Sequence, residues 1–206
     1  MSDKLTFEFR EREQSAGITE VPGFTAAGIS CGLRGKEPGR LDTALVYSKL
    51  PCTAAGTFTT NDVKAAHVHL DGERIAKGGE FHAVVANSGN ANAFTGDQGK
   101  IDAADLGDLL AKALGVAPES VLVASTGRIG RRLPMDKFAT GIPAGTKLLS
   151  DSAESGHLAA KAIMTTDTFP KTATASFLCN GKKIVVSGMA KGAGMIEPNM
   201  ATMLAF

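Results

Sequence analysis

Tryptophan is absent from this 206-residue chain, tyrosine occurs once and cysteine three times. Cys31, Cys52 and Cys179 are odd in number and far apart, and no Cys-x-x-Cys pair exists. That argues against a disulfide framework or a cysteine zinc site, and it fits a reducing cytoplasm. An excess of one charge is missing too: the formal net charge is +1. A nucleic acid or a membrane surface is therefore a poor main partner, while a local basic site stays open. No apolar run approaches the roughly 20 residues that a membrane span needs. The N-terminal stretch is charged and lacks an apolar core, so it does not read as a secretory signal. Internal repeats and low-complexity linkers are likewise absent.

What is present is length for one sizeable core, an ordinary hydrophobic content of 43%, and 24 glycines, which point to turns and close backbone approaches. Segments 43–48 and 54–60 read as strands, with Pro51 interrupting and a turn at Asn61 and Asp62. Phe-His-Ala-Val-Val-Ala at 81–86 reads as a short buried strand. It runs into Asn-Ser-Gly-Asn-Ala-Asn-Ala at 87–93, too rich in Asn and Gly for a regular element. Leu106, Leu109, Leu110, Ala113 and Leu114 fall at helical spacing within 99–114, and Gly115 stops that helix. A strand ending in a glycine turn is predicted at 120–127, with short helices at 134–138 and 155–164. Segments 172–179 and 182–189 flank Asn180 and Gly181, which predicts a type I′ hairpin. The order is irregular rather than a strict βαβ series, so the class is α/β or α+β with antiparallel pairing.

The histidines carry little chemistry. His67 and His69 would share one face of a strand, as metal ligands can, but no third ligand stands at a telling distance. His82 and His157 are isolated, and no Ser-His-Asp arrangement is visible. The glycine-rich stretch 188–194 contains Lys191 but lacks the phosphate-loop spacing. A nucleophile that needs no histidine remains. The run Gly-Met-Ile-Glu-Pro-Asn-Met-Ala-Thr-Met-Leu at 194–204 places Thr202 after the small residue Ala201. A threonine with a free α-amine carries its own base, because that amine has an unperturbed pKa of about 7.7–8.0. Exposing it requires breaking the Ala201–Thr202 bond: the Thr202 hydroxyl attacks the Ala201 carbonyl, the acyl group shifts from N to O, and water hydrolyses the ester. The plain alternative is that Thr202 opens an ordinary β-strand.

Four segments resemble the ornithine acetyltransferase family, the bifunctional glutamate N-acetyltransferases of arginine biosynthesis. They are Asn-Ser-Gly-Asn-Ala-Asn-Ala at 87–93, Ser-Thr-Gly-Arg-Ile-Gly at 125–130, Ala-Ile-Met-Thr-Thr-Asp-Thr-Phe-Pro-Lys at 162–171, and the long run 189–204. Their order is the family's, and the likeness extends from about Gly23 onward. The resemblance implies a layered α/β sandwich of the N-terminal-nucleophile-like type, completed by a second chain. Residues 1–201 would be the α subunit, a single domain, and 202–206 the start of the β subunit.

By the same resemblance Thr202 is the nucleophile, freed by cleavage after Ala201, and Thr126 with Gly127 forms the oxyanion hole. Thr168, Lys191 and Thr202 bind substrate, and Met189 to Gly194 is a backbone-approach segment beside the nucleophile. Read without the family, Thr126 and Gly127 are a turn and Lys191 is a solvated loop lysine. The implied reaction is acetyl transfer from N2-acetyl-L-ornithine to L-glutamate through an acetyl-threonine, with acetyl-CoA as a donor in some relatives. No metal or redox cofactor is implied. The implied partner is a β chain from the same precursor, in an α2β2 assembly in the cytoplasm, with neither nucleic acid nor membrane. The alternatives are a related N-terminal-nucleophile amidase or aminopeptidase with water as acceptor, and a non-catalytic half-protein. Two departures stand out. Phe94 occupies a position where many relatives have Cys, which is expected to matter to packing alone, and the family's precursor is roughly twice this long.

Overall fold

The computed structural model describes residues 7–11, 15–35, 39–194, 200 and 202–206. Ala201 and residues 195–199 of the long C-terminal motif lie outside these, as does the charged stretch 1–6. The chain runs β1 (Phe7–Glu11), β2 (Phe24–Ile29), β3 (Thr43–Cys52), α1 (Ala66–Lys77), β4 (Phe81–Asn90), α2 (Gly96–Leu114), β5 (Val121–Arg128), α3 (Met135–Thr146), α4 (Ala153–Ala162), β6 (Lys171–Cys179), β7 (Lys182–Lys191) and β8 (Leu204–Ala205). Two four-stranded sheets form, one ordered β2-β3-β4-β5 and the other β1-β6-β7-β8. Among the described residues no helix is long and apolar enough to cross a membrane.

The first sheet is buried on both faces, and its alternating side chains feed two cores. Ala27, Ile29, Leu45, Val85, Val121 and Val123 point to one side, where Leu106 and Leu110 of α2 and Phe138 and Ile142 of α3 meet them. Ala26, Ala44, Val46, Ala86 and Ala124 point to the other, against Ala159, Ala160, Ala162 and Ile163 at α4. Alanines on both sides let α4 lie close to β2. At Gly28 the approach leaves no room at all: a Cβ there would sit 2.1 Å from the Leu158 carbonyl oxygen. Behind α4 stands the second sheet, whose inner face adds Met189 to that core and carries a run of hydroxyls beside it. There Ser15 Oγ meets Thr174 Oγ1 at 2.8 Å, Thr174 Oγ1 meets Ser187 Oγ at 2.5 Å, and Ser187 Oγ donates to the Gly17 carbonyl at 2.6 Å.

Several sequence expectations hold. The helix at 99–114 is α2, ended by Gly115 at φ 72° with its N–H on the Ala111 carbonyl. The hairpin turns at Asn180 and Gly181 with φ of 49° and 73°, both positive as a type I′ turn requires. The strands at 43–48, 81–86 and 120–127 and the helices at 134–138 and 155–164 are all found, most with wider bounds. Others do not hold. His67 and His69 lie on α1 rather than a strand, and at that spacing on a helix they do not share a face: His67 is buried and His69 exposed. Segment 54–60 forms no strand, and β3 continues through Pro51, although its pairing with β4 is irregular between Tyr47 and Cys52. Asn87 to Asn90 continue β4, because buried partners satisfy the amides: Asn87 Nδ2 donates to the Asn90 carbonyl at 2.9 Å and Asn87 Oδ1 accepts from Ser125 Oγ at 2.7 Å. Phe94 is 71% exposed, so it fills no core space.

The free edge of β5 is covered by α1. The Asp71 carboxylate accepts the Val123 N–H at 3.0 and 3.1 Å, and Arg74 donates to the Val121 carbonyl. Two side chains thus take the place of a neighbouring strand. Burial raises the Asp71 carboxyl to about 7 despite the Val123 N–H and the Arg74 charge.

Two outcomes follow from this packing. Gly28→Ala forces α4 off β2 and should destabilise the protein by about 1–3 kcal/mol, the range for overpacking; an unchanged urea midpoint would contradict it. For Asp71, the folded carboxyl titrates at about 7 and the unfolded one near 3.9. The folded state holds the proton more tightly, so this contribution is full below about pH 3.9 and lost as pH rises through about 7. Asp71→Asn keeps an acceptor for Val123 and has no proton to lose. It should flatten that part of the stability–pH curve, and a variant curve as steep as the wild type would remove Asp71 as its source.

Candidate active site

β4 and β5 run parallel, with Ser88, Gly89 and Asn90 opposite Thr126, Gly127 and Arg128. Parallel strands end together, and their carboxyl ends open a crevice where a ligand can sit. Gly127 has φ 133°, and a Cβ on it would fall 2.4 Å from the Gly89 carbonyl carbon. Only glycine satisfies both the backbone angle and the contact. Thr126 beside it is 1% exposed, and its hydroxyl has no hydrogen-bond partner among the described residues. A buried hydroxyl without a partner is costly, so this one is a donor with something left to hold.

The second sheet supplies the opposite wall. Lys191 ends β7 and is 5% exposed, with its ammonium donating to the Thr202 carbonyl at 3.2 Å. Thr202 is exposed, just before β8, whose Leu204 and Ala205 pair with Lys191 and Ala190. A cavity of about 330 Å³ joins these parts, lined among others by Thr126, Gly127, Lys191, Thr202, Arg34, Thr165 and Thr166. A larger cavity of about 550 Å³ opens on the outer face of β6 and β7, is mainly apolar, and holds none of the sequence-predicted site residues.

Charge around the smaller cavity is concentrated. Burial lowers the Lys191 ammonium from its ordinary value, Asp167 opposes that, and Lys171 and Arg34 add to it. Burial works against the Asp167 charge, but hydrogen bonds from Lys171, Gly192 and Thr165 outweigh it and hold the carboxyl at about 2. The loop with Arg34 is fixed by buried Asp42, which accepts the Cys31 N–H at 2.7 Å and the Leu33 N–H at 2.6 Å. Arg34 in turn donates to the Met164 carbonyl.

Sequence-predicted site residues fall into three groups. Thr126, Gly127, Lys191 and Thr202 come together at one cavity. Thr168 is exposed and outside the cavity lining, where Thr165 and Thr166 stand instead. Ala201, and with it the Ala201–Thr202 bond, lies outside the described residues. Lys191 is not a solvated loop lysine, because it is buried at a strand end. Arg34, Asp42, Thr165, Thr166 and Asp167 were not singled out in the sequence. For the last three a signal existed, the Thr-Thr-Asp-Thr step inside the 162–171 motif. The remaining histidines are held by structure: His82 Nδ1 lies 3.0 Å from the Ser48 carbonyl oxygen and His157 Nε2 lies 2.9 Å from that of Ser15. Among the described residues no three His, Cys, Asp or Glu side chains are grouped to hold a metal.

The ArgJ family model matches residues 25–206. The arginine biosynthesis bifunctional protein ArgJ of Symbiobacterium thermophilum is 54% identical over 192 residues, covering 93% of this chain and 47% of that protein. ArgJ 1 of Clostridium acetobutylicum is 49% identical over 189 residues, covering 92% and 45%. The chain thus spans about half the length of the curated relatives it matches. The crystal structure of ArgJ from Bacillus halodurans aligns with a TM-score of 0.86 at 36% identity, over 97% of this chain and 100% of that one. Ornithine acetyltransferase from Mycobacterium tuberculosis, solved with ornithine, aligns with a TM-score of 0.85 at 38% identity, again over 97% and 100%. Nearly the whole length that carries the two sheets and the cavity between them is matched, in sequence and in fold, and the chain belongs to the ArgJ family.

Proposed function

We propose that this chain is the α portion of a self-cleaving glutamate N-acetyltransferase that moves acetyl from N2-acetyl-L-ornithine to L-glutamate in the cytoplasm. The observation that carries it is the unpartnered, buried Thr126 hydroxyl, placed with Gly127, Lys191 and Thr202 around one cavity. In the proposed sequence the Thr202 hydroxyl attacks the acetyl carbonyl and passes its proton to the α-amine freed by cleavage. The oxyanion takes hydrogen bonds from the Thr126 hydroxyl and the Gly127 N–H. Ornithine leaves as the amine, taking that proton, and an acetyl ester remains on Thr202. The glutamate amine then attacks the ester and regenerates the hydroxyl. Lys191 holds a substrate carboxylate as a point charge, and Thr168, exposed outside the cavity lining, is the second residue assigned to substrate binding. The same hydroxyl performs the earlier cut after Ala201, which divides 1–201 from a chain beginning at Thr202.

Two further observations support a second chain. The solved relatives are matched along their full length, whereas the curated relatives are matched over about half, as expected if the precursor is divided near this point. The outer face of the second sheet also exposes Phe7, Phe9, Ile184 and Val186, of which Phe9 and Val186 line its apolar cavity. Such a face suits an obligate partner, which we take to be the β chain in an α2β2 assembly.

The test is expression of the complete reading frame followed by denaturing gels and intact mass. Wild type should give two chains, the second beginning at Thr202. Thr202→Ala should stay whole, because a methyl group replaces the attacking hydroxyl, and equal cleavage of both would sink the assignment. In wild type incubated with N-acetylornithine and no glutamate, the peptide beginning at Thr202 should gain one acetyl group. Thr126→Ala removes one oxyanion donor and should slow cleavage and transfer by about 2.7–4 kcal/mol of barrier with little effect on folding. Wild-type rates in that variant would return Thr126 to the status of a turn residue.

A further inference from the structure

Behind Lys191 lies a carboxylate that has no part in the chemistry above. Asp167 has no exposed side-chain surface. One oxygen accepts the Gly192 N–H at 2.8 Å and the Lys171 ammonium at 2.6 Å, and the other accepts the Thr165 N–H at 3.2 Å. These partners come from three places: the residue directly after Lys191, the start of β6, and the loop whose Thr165 and Thr166 line the cavity. We infer that Asp167 is the positioning residue of the substrate-carboxylate site: it fixes the loop wall against the end of β7, and it keeps the Lys191 ammonium charged where that ammonium faces the cavity. This rests on the role proposed for Lys191 above.

The geometry separates this role from ordinary packing. Gly192 has φ 146°, a backbone angle that favours glycine, and its N–H, the first beyond β7, is the one Asp167 takes. Lys191 is pinned on its C-terminal side by that bond and alongside by Leu204. Among the described residues, the charged groups that act on it are Asp167 from the loop, Lys171 from β6 and Arg34 from the loop after β2. Once the precursor is cut, as proposed above, the α-amine of Thr202 joins them. Three of these four are cationic when protonated. Among the described residues Asp167 is the anion that offsets them, and burial already weakens the ammonium. The carboxylate withstands acid, because its own hydrogen bonds hold it at about 2.

The experiment uses the full-length, cleaved protein and two readouts. The first is the pH at which Lys191 becomes reactive to acetic anhydride, followed by peptide mass spectrometry; it does not depend on turnover. The second is the pH profile of kcat and KM for acetyl transfer. Asp167→Asn keeps one accepting oxygen for Gly192 and loses the charge. It should lower the Lys191 labelling midpoint by about one pH unit or more. It should also raise KM by about tenfold or more, the scale of a lost charge-assisted contact, while changing kcat much less. The alkaline limb of kcat/KM should move to lower pH, and the acid limb, set by the Thr202 amine, should stay. Lys171→Gln removes a like charge and leaves both backbone bonds to Asp167, so it should move the same limb and the labelling midpoint to higher pH. It decides the matter if Asp167→Asn does not fold. Unmoved labelling midpoints in the folded variants would overturn the inference. Shifted midpoints without acetyl transfer in wild type would sustain it and reject the proposed reaction instead.

Discussion

The parallel pairing of β4 with β5 is the constraint on which the rest of the structure depends. Parallel strands need a crossover, and α2 is that crossover, so its Leu106 and Leu110 are delivered to the same face as Val85, Val121 and Val123. The pairing also sets Gly89 against Gly127, a contact that excludes a Cβ on Gly127. Next to that contact, opposite Ser88, the Thr126 hydroxyl is buried and has no partner among the described residues. Had β5 paired antiparallel, the Thr126–Gly127 end would lie at the opposite end of β4, away from Lys191. Covering the edge of β5 with Asp71 and Arg74 then preserves the strand that carries Thr126 and Gly127, since an open edge invites pairing with another chain.

Electrostatics order the second half of the site. Lys191 is buried beside other cations, and burial disfavours the charged form of a lysine. A carboxylate paired with nothing else would neutralise one lysine and leave the other to deprotonate. Asp167 instead spends two bonds on backbone N–H groups and one on Lys171. A carboxylate so anchored stays ionised across the physiological range, and its field reaches Lys191 without a direct bond between them. The ammonium is left a donor to the Thr202 carbonyl, within the cavity rather than turned away from it.

Much of the fold was legible because local and tertiary preferences agree. Asn180 and Gly181 accept positive φ readily, and the leucine spacing of α2 matches the one core it faces. The misses occur where tertiary contacts prevail. α1 buries only His67 and Asp71, so its sequence lacks an apolar stripe and His-Val-His reads as strand alternation. Asn87 to Asn90 look like a loop because asparagine disfavours strands, yet the amides are held by Ser125 and by neighbouring carbonyls. For the site, the resemblance led to Thr126, Gly127, Lys191 and Thr202, since each lies in a contiguous motif. Arg34 was not legible: it reaches the cavity from a loop tied down by Asp42, and no local spacing marks that connection.

The same geometry bears on how, in the reaction proposed above, a nucleophile could be released from its own chain and remain in place. On that proposal, cleavage before Thr202 removes its N-terminal tether. On its other side Met189 and Phe206 exchange backbone hydrogen bonds, each 2.9 Å long, and Lys191 pairs with Leu204. Gly188 permits this approach, for a Cβ there would stand 2.9 Å from the Phe206 carbonyl oxygen. Leu204 and Phe206 also pack against the alanine-rich core between the sheets. On the proposed reading, the new terminus is anchored within two residues of the reacting hydroxyl, and the Lys191 ammonium holds the Thr202 carbonyl as a third point. On the same reading the α-amine, freed of the preceding residue, gains room to turn toward its own hydroxyl, in the cavity that Thr126 also lines. In the proposed reaction, cutting the chain would thus convert the residue before β8 into a nucleophile with its base attached, without asking either sheet to move.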